Sequence, residues 1–92
     1  MTDQQRLVLL KADLQLLTSA NDALLSHLLQ AAEAAVKREG IRDDGTADYD
    51  AVIISYAAYL FRKRAAAETG MPRFLRWMMN NLLLSQKAGV ES

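Results

Sequence analysis

Few side chains in this sequence have the type and spacing that chemistry needs. His27 is the single histidine in 92 residues, and there is no cysteine. Ser26 precedes His27, but neighbours on a helix point about 100° apart and do not form a nucleophile–base pair. His27 therefore reads as a surface or interface residue. Without cysteine there is no thiolate nucleophile, no disulfide and no Cys-based zinc site. Asp43, Asp44, Asp48 and Asp50 form an acidic cluster. A calcium loop of the EF-hand type needs alternating ligands, a Gly at its sixth position and a closing Glu at its twelfth. Here Gly45 follows two adjacent Asp, and the twelfth residue from Asp43 is Ile54. A solvated loop that caps a helix is the better reading. The chain has no Gly-rich phosphate loop and no His-Glu-x-x-His. No catalytic, cofactor-binding or metal-binding residue is assigned.

The remaining cluster suits recognition. Arg62, Lys63, Arg64, Arg73 and Arg76 lie around Phe74 and Trp77. Interleaved cations and aromatics resemble a nucleic-acid surface, so a small DNA-binding or regulatory helical protein is the alternative reading. Net charge is zero, with 11 basic and 11 acidic residues, whereas phosphate binding draws on a basic excess. Arg and Trp are also the types that dominate protein-binding hot spots. The interface candidates are Tyr56, Tyr59, Phe61, Arg62, Arg64, Arg73, Arg76 and Trp77.

Four helices must position these residues. Leu7, Leu10, Leu14 and Leu17 repeat at helical spacing and predict a first helix over 4–17, with Leu9 and Leu16 as a second patch. The run 18–22 is short and polar and breaks it. A second helix is predicted over 21–38, with Leu24, Leu25, Leu28, Ala32, Ala35 and Val36 on one face. The small residues 31–35 predict a close helix crossing there. Lys37 and Arg38 suit a helix C-terminus and Gly40 its cap. Residues 41–48 form the loop, and Thr46 or Asp48 caps a third helix over 49–67. Apolar residues surround most of that helix, which predicts burial partly by another subunit. Gly70 and Pro72 make the last break. A fourth helix is predicted over 72–87, with Phe74, Leu75, Met78 and Leu82 facing the core, Met79 beside them, and Trp77 and Leu84 elsewhere.

The whole is an all-α single domain, a small bundle of about four helices over 1–92 with ends at 1–3 and 88–92 expected to fray. Hydrophobic residues make up 51% of the chain, enough for a core. The polar N-terminus with Asp3 does not read as a signal peptide. No apolar run reaches the roughly 20 residues of a membrane span, which predicts a soluble, cytoplasmic protein. Residues 1–49 carry 5 basic and 8 acidic side chains, and residues 50–92 carry 6 and 3, giving sums of −3 and +3. Such complementary halves suit head-to-tail contact between copies.

The order of segments carries a resemblance: 11–16 (KADLQL), 21–32 (NDALLSHLLQAA), a variable loop after Gly40-Ile41, 51–64 (AVIISYAAYLFRKR) and 71–83 (MPRFLRWMMNNLL). It resembles the small head–tail connector, or adaptor, proteins of tailed bacteriophages, over about residues 11–87. That family has a Tyr-rich third helix ending in Arg and a Pro-led C-terminal helix. The resemblance implies a homo-oligomeric ring, typically of twelve subunits, that binds the portal protein and docks a stopper or tail-completion protein. It implies a lumen that DNA traverses without specific binding, no catalytic residues or cofactor, and location at the head–tail interface of the virion after assembly in the host cytoplasm. The family's portal-engaging C-terminal segment would correspond to 82–92, which is short in this sequence.

Overall fold

The computed structural model describes residues 1–91. It has four helices: α1 (Asp3–Leu14), α2 (Asp22–Arg38), α3 (Ala47–Ala65) and α4 (Arg73–Glu91). No described residue is in a strand, so the fold is the predicted small all-α bundle. It is flattened, with extents of 46 × 30 × 18 Å.

Local chemistry accounts for most helix ends. Thr2 caps α1: its hydroxyl accepts from the Gln5 N–H at 3.1 Å, and the Gln5 side chain accepts from the Thr2 N–H at 2.8 Å. This reciprocal capping box satisfies two otherwise orphaned donors. The predicted first helix is too long, because Gln15 turns left-handed at φ 58° and ends α1 three residues before Leu17. Leu16 folds back against the core, while Leu17 is 97% exposed. Gly40, at φ 93°, takes the left-handed position after α2. Thr46 caps α3 by accepting from the Tyr49 N–H at 3.2 Å. α3 then ends at Ala65, with Ala66 extended at φ −141°. α4 begins just after Pro72 and runs past residue 87 to Glu91, because Gly89 alone disfavours helix by only about 1 kcal/mol. α1 and α4 thus enter stretches that the sequence reads as frayed ends; Ser92 lies outside the described residues.

The core joins Leu7 and Leu10 of α1, Leu25, Leu28, Leu29, Ala32 and Val36 of α2, Tyr49, Val52, Ile53, Ala57, Ala58 and Tyr59 of α3, and Leu75, Met79 and Leu82 of α4, with Ile41 from the loop. α2 and α3 form the most extensive pair, as the small residues on both helices allow. α3 packs against each of the other helices. Neighbours within the chain thus supply much of the cover that the sequence led one to expect from another subunit, while Ile54, Tyr56, Leu60 and Phe61 stay partly exposed. Surplus apolar surface lies instead on α1 and α4.

Candidate partner-binding surface

The eight predicted interface residues divide between two helices and two roles. On α3, Tyr59 is buried, at 8% exposure, and so is corrected from interface to core. Its ring meets Tyr56 edge-on at 5.8 Å between centroids. The Lys63 ammonium lies 5.6 Å from the Tyr59 ring centre and donates to its hydroxyl at 3.3 Å. Tyr56 and Phe61 are half-buried against the core. Arg62 is exposed and pairs with Asp13 at 3.5 Å, tying the end of α3 to α1. Arg64 is exposed and makes no ion pair among the described residues.

The α4 candidates lie on open surface. Trp77 stacks on Phe74 with centroids 5.8 Å apart and planes inclined by 24°. Both rings face solvent, Phe74 at 67% and Trp77 at 62% exposure. Phe74 is therefore a correction in the other direction, from core to surface. The signal for it was in the spacing. Phe74, Trp77 and Leu84 recur at steps of three and seven and define one stripe, while Leu75, Met79 and Leu82 define the buried one. α4 thus has two apolar faces and packs chiefly on one helix, α3. Arg76 braces it to the end of α2 through Glu39 at 3.3 Å, and Arg73 makes no ion pair among the described residues.

A second exposed apolar region lies between α1 and α3. Met1, Val8 and Leu9 from the α1 side and Ala51 and Ile54 of α3 line an open groove of about 820 Å³, with Gln4 and Asp50 also in its lining. The sequence pointed to Leu9 as part of a second patch on the first helix but not to Val8 or Met1. A smaller groove of about 410 Å³ lies between α3 and α4, where Val52, Trp77 and Met78 meet Asp48.

A buried polar network holds α1, α2 and α3 in register behind the larger groove. Arg6 Nε and Nη2 donate to Asp50 Oδ1 at 3.0 and 2.9 Å. Glu33 lies 3.6 Å from Arg6 Nη1, and the N-terminal amine lies 3.8 Å from Asp50 Oδ2. Tyr49 donates its phenol proton to Glu33 at 2.7 Å, and its ring lies under the Arg6 guanidinium at 5.7 Å. Burial lowers the Arg6 pKa, but the bond to Asp50 and the charges of Glu33, Asp50 and Asp43 outweigh it, leaving it above its ordinary value. Burial, then the hydrogen bond and charge of Glu33, push the Tyr49 phenol well up. Each charge is answered by another inside the network, an arrangement that braces helices.

The acidic loop is also structural. The Asp43 carboxylate accepts from the Gly45 N–H at 3.0 Å, and the Asp44 carboxylate accepts from the Thr46 N–H and hydroxyl at 3.1 and 2.6 Å. Gln86 of α4 closes over it, accepting from the Arg42 N–H at 3.0 Å and donating to Arg42 O and Asp44 Oδ2 at 2.7 and 3.0 Å. The bonds from Thr46 and then Gln86 hold Asp44 below the usual carboxylate range. No group of three or more His, Asp or Glu among the described residues is arranged to hold a metal ion. His27 is exposed on α2. No described helix is long and apolar enough to cross a membrane.

Compared with known protein families, characterised proteins and solved structures, the chain has no significant match in any of the three.

Proposed function

We propose that this protein is a non-catalytic structural adaptor: a head–tail connector of a tailed bacteriophage that assembles as a ring beneath the portal, extends the DNA channel and docks a stopper or tail-completion protein. The observation that carries a binding role is the stacked Phe74–Trp77 pair, mostly exposed on a helix whose opposite face is already packed. Isolated exposed apolar residues are ordinary, but a stacked aromatic pair on an exposed helix face, with Leu84 two turns further along it, is a surface of the kind that marks interaction sites. The α1–α3 groove adds another such region.

The connector assignment rests on the order of segments from Lys11 to Lys87, and the four-helix fold agrees with it. The surface charge favours protein over DNA as partner. Of the five clustered cations, Arg62 and Arg76 are paired with carboxylates and Lys63 is bonded to Tyr59. That leaves three cations without a carboxylate partner among the described residues, Lys63 included, against a net charge of zero, little for phosphate neutralisation.

The test is to mix the purified protein with a matching portal protein and image the mixture by electron microscopy. The adaptor reading expects a ring of added density on the tail-facing end of the portal. Absence of binding to the portal, together with salt-sensitive retention on DNA, replaces this reading with a DNA-binding one.

A further inference from the structure

We infer that the exposed face of α4 pairs, in the manner of a coiled coil, with an acidic amphipathic helix of a partner protein. This deepens the adaptor reading above and rests on its assignment of that face to a protein. Phe74, Trp77, Asn81 and Leu84 are all exposed and follow the 3-4-3 spacing of a coiled-coil seam. An Asn within such a seam fixes the register of the two helices. Along one edge of the seam, Arg73, Asn80 and Lys87 recur at seven-residue steps. These are the edge positions whose charges choose the partner of a paired helix and set its orientation. From Arg73 to Gly89 every charged residue is cationic: Arg73, Arg76 and Lys87. Arg76 is answered by Glu39. Arg73 and Lys87 are exposed and make no ion pair among the described residues. At 1.5 Å per residue these two cations lie about 21 Å apart along the axis.

The complement is a helix with an apolar stripe of about four turns and two carboxylates about two heptads apart on one edge. A second copy of α4 does not supply it. In an antiparallel pair, equivalent edges fall on the same side of the seam. The register that opposes Phe74 to Leu84 then also opposes Arg73 to Lys87, and like charges so placed count against the pair. A parallel pair sets the cations against the edge of Met78 and Ser85, where Asp48 of α3 is the one acid in the lining. One acid does not meet two cations so far apart. Phosphate partners are disfavoured by number. Three cations on one helix fall below the clusters of roughly four to eight that hold anionic lipid, and DNA draws on a basic excess that the chain lacks.

For the test, a displayed library of helical peptides, free of Trp and long enough for about four turns, is selected on the wild type and depleted on Trp77→Ser. Enriched peptides should carry an apolar 3-4-3 stripe with Asp or Glu about two heptads apart on one edge. Enrichment of neutral or basic peptides, or none beyond that on Trp77→Ser, would overturn the proposal. Trp77 is the only tryptophan, so its emission reports binding of an enriched peptide. Arg73→Glu combined with Lys87→Glu should weaken that binding about tenfold, and exchanging the peptide's acids for Lys should restore it. Binding unmoved by the double reversal, or not restored by the exchange, would contradict the pairing. So would a larger change in emission with duplex DNA or phosphatidylglycerol vesicles than with the peptide, or a change on concentrating the protein alone. Portal binding is scored separately. Rings on the portal without selection of acidic helices refute this pairing alone, and selection of acidic helices without portal binding refutes the adaptor reading alone.

Discussion

Arg6 and Asp50 are 44 residues apart in the chain and joined by two hydrogen bonds to one carboxylate oxygen, at 3.0 and 2.9 Å. Both residues are buried, Arg6 at 6% and Asp50 at 7% exposure. A buried pair of this kind contributes little net stability relative to an apolar pair but is costly to break on one side. Asp50→Ala should therefore lower the unfolding free energy by about 3 kcal/mol, measured by urea denaturation. The double variant Arg6→Met with Asp50→Leu should recover most of that loss. A double variant as unstable as the single one would show that the pair is worth more than its desolvation.

Tyr49 is fully buried and its hydroxyl donates to Glu33. Tyr49→Phe should cost about 1.5–3 kcal/mol, the range for a hydrogen bond to a charged group. The same contact predicts an alkaline limit. The phenol's folded pKa is raised above its ordinary value of 10.0. The stabilisation is thus complete below pH 10 and is lost as pH rises above that value, since the unfolded chain releases the proton first. Thermal melts of the wild type should fall above pH 10, and those of Tyr49→Phe should fall less steeply. Parallel curves would assign the alkaline loss to other groups.

Gln86 is the clamp between α4 and the 41–46 loop. Gln86→Ala should speed amide exchange through the second half of α4 and leave the α2–α3 pair protected. Asp44, held below its ordinary value of 3.8, should make this clamp acid-sensitive. A depressed carboxylate pKa stabilises above the unfolded value, and the contribution disappears as pH falls through the folded one. The melting difference between wild type and Asp44→Ala should therefore close below pH 3.8. A difference that persists undiminished well below that pH would remove the ionised carboxylate from the account.

Phe74 and Trp77 are exposed, so replacing them should barely change folding. Trp77→Ser should move stability by about 0.5 kcal/mol or less, the usual span at the surface, yet weaken portal association at least about tenfold, as loss of an aromatic hot spot does. Loss of stability comparable to a core substitution would place the ring inside the fold.

Local signals were legible in the residues themselves. Thr46, Gly40 and the basic last turns of α2 and α3 announced their helix ends through capping and dipole chemistry. The leucine and alanine spacing of α2 announced its buried face. Partnerships between distant residues were not legible. Nothing near Arg6 announces Asp50, and nothing near Gln86 announces Arg42, because these pairs form only when helices pack. For the same reason, periodicity alone left undecided which of α4's two apolar faces is covered, and it placed Phe74 inside. The apolar girth of α3 was visible, but not that three flanking helices of the same chain each pack on part of it. The binding candidates on α4 came from residue type, and their exposure from the fold.

The central claim is that a partner protein covers Trp77. It is the only tryptophan in the chain, so incorporating 5-fluorotryptophan gives a single fluorine resonance that reports this position alone. Titrating the labelled protein with the unlabelled portal should shift that resonance and remove its sensitivity to exchange of solvent from water to deuterium oxide. A resonance that stays solvent-sensitive while a complex with the portal forms would contradict the account.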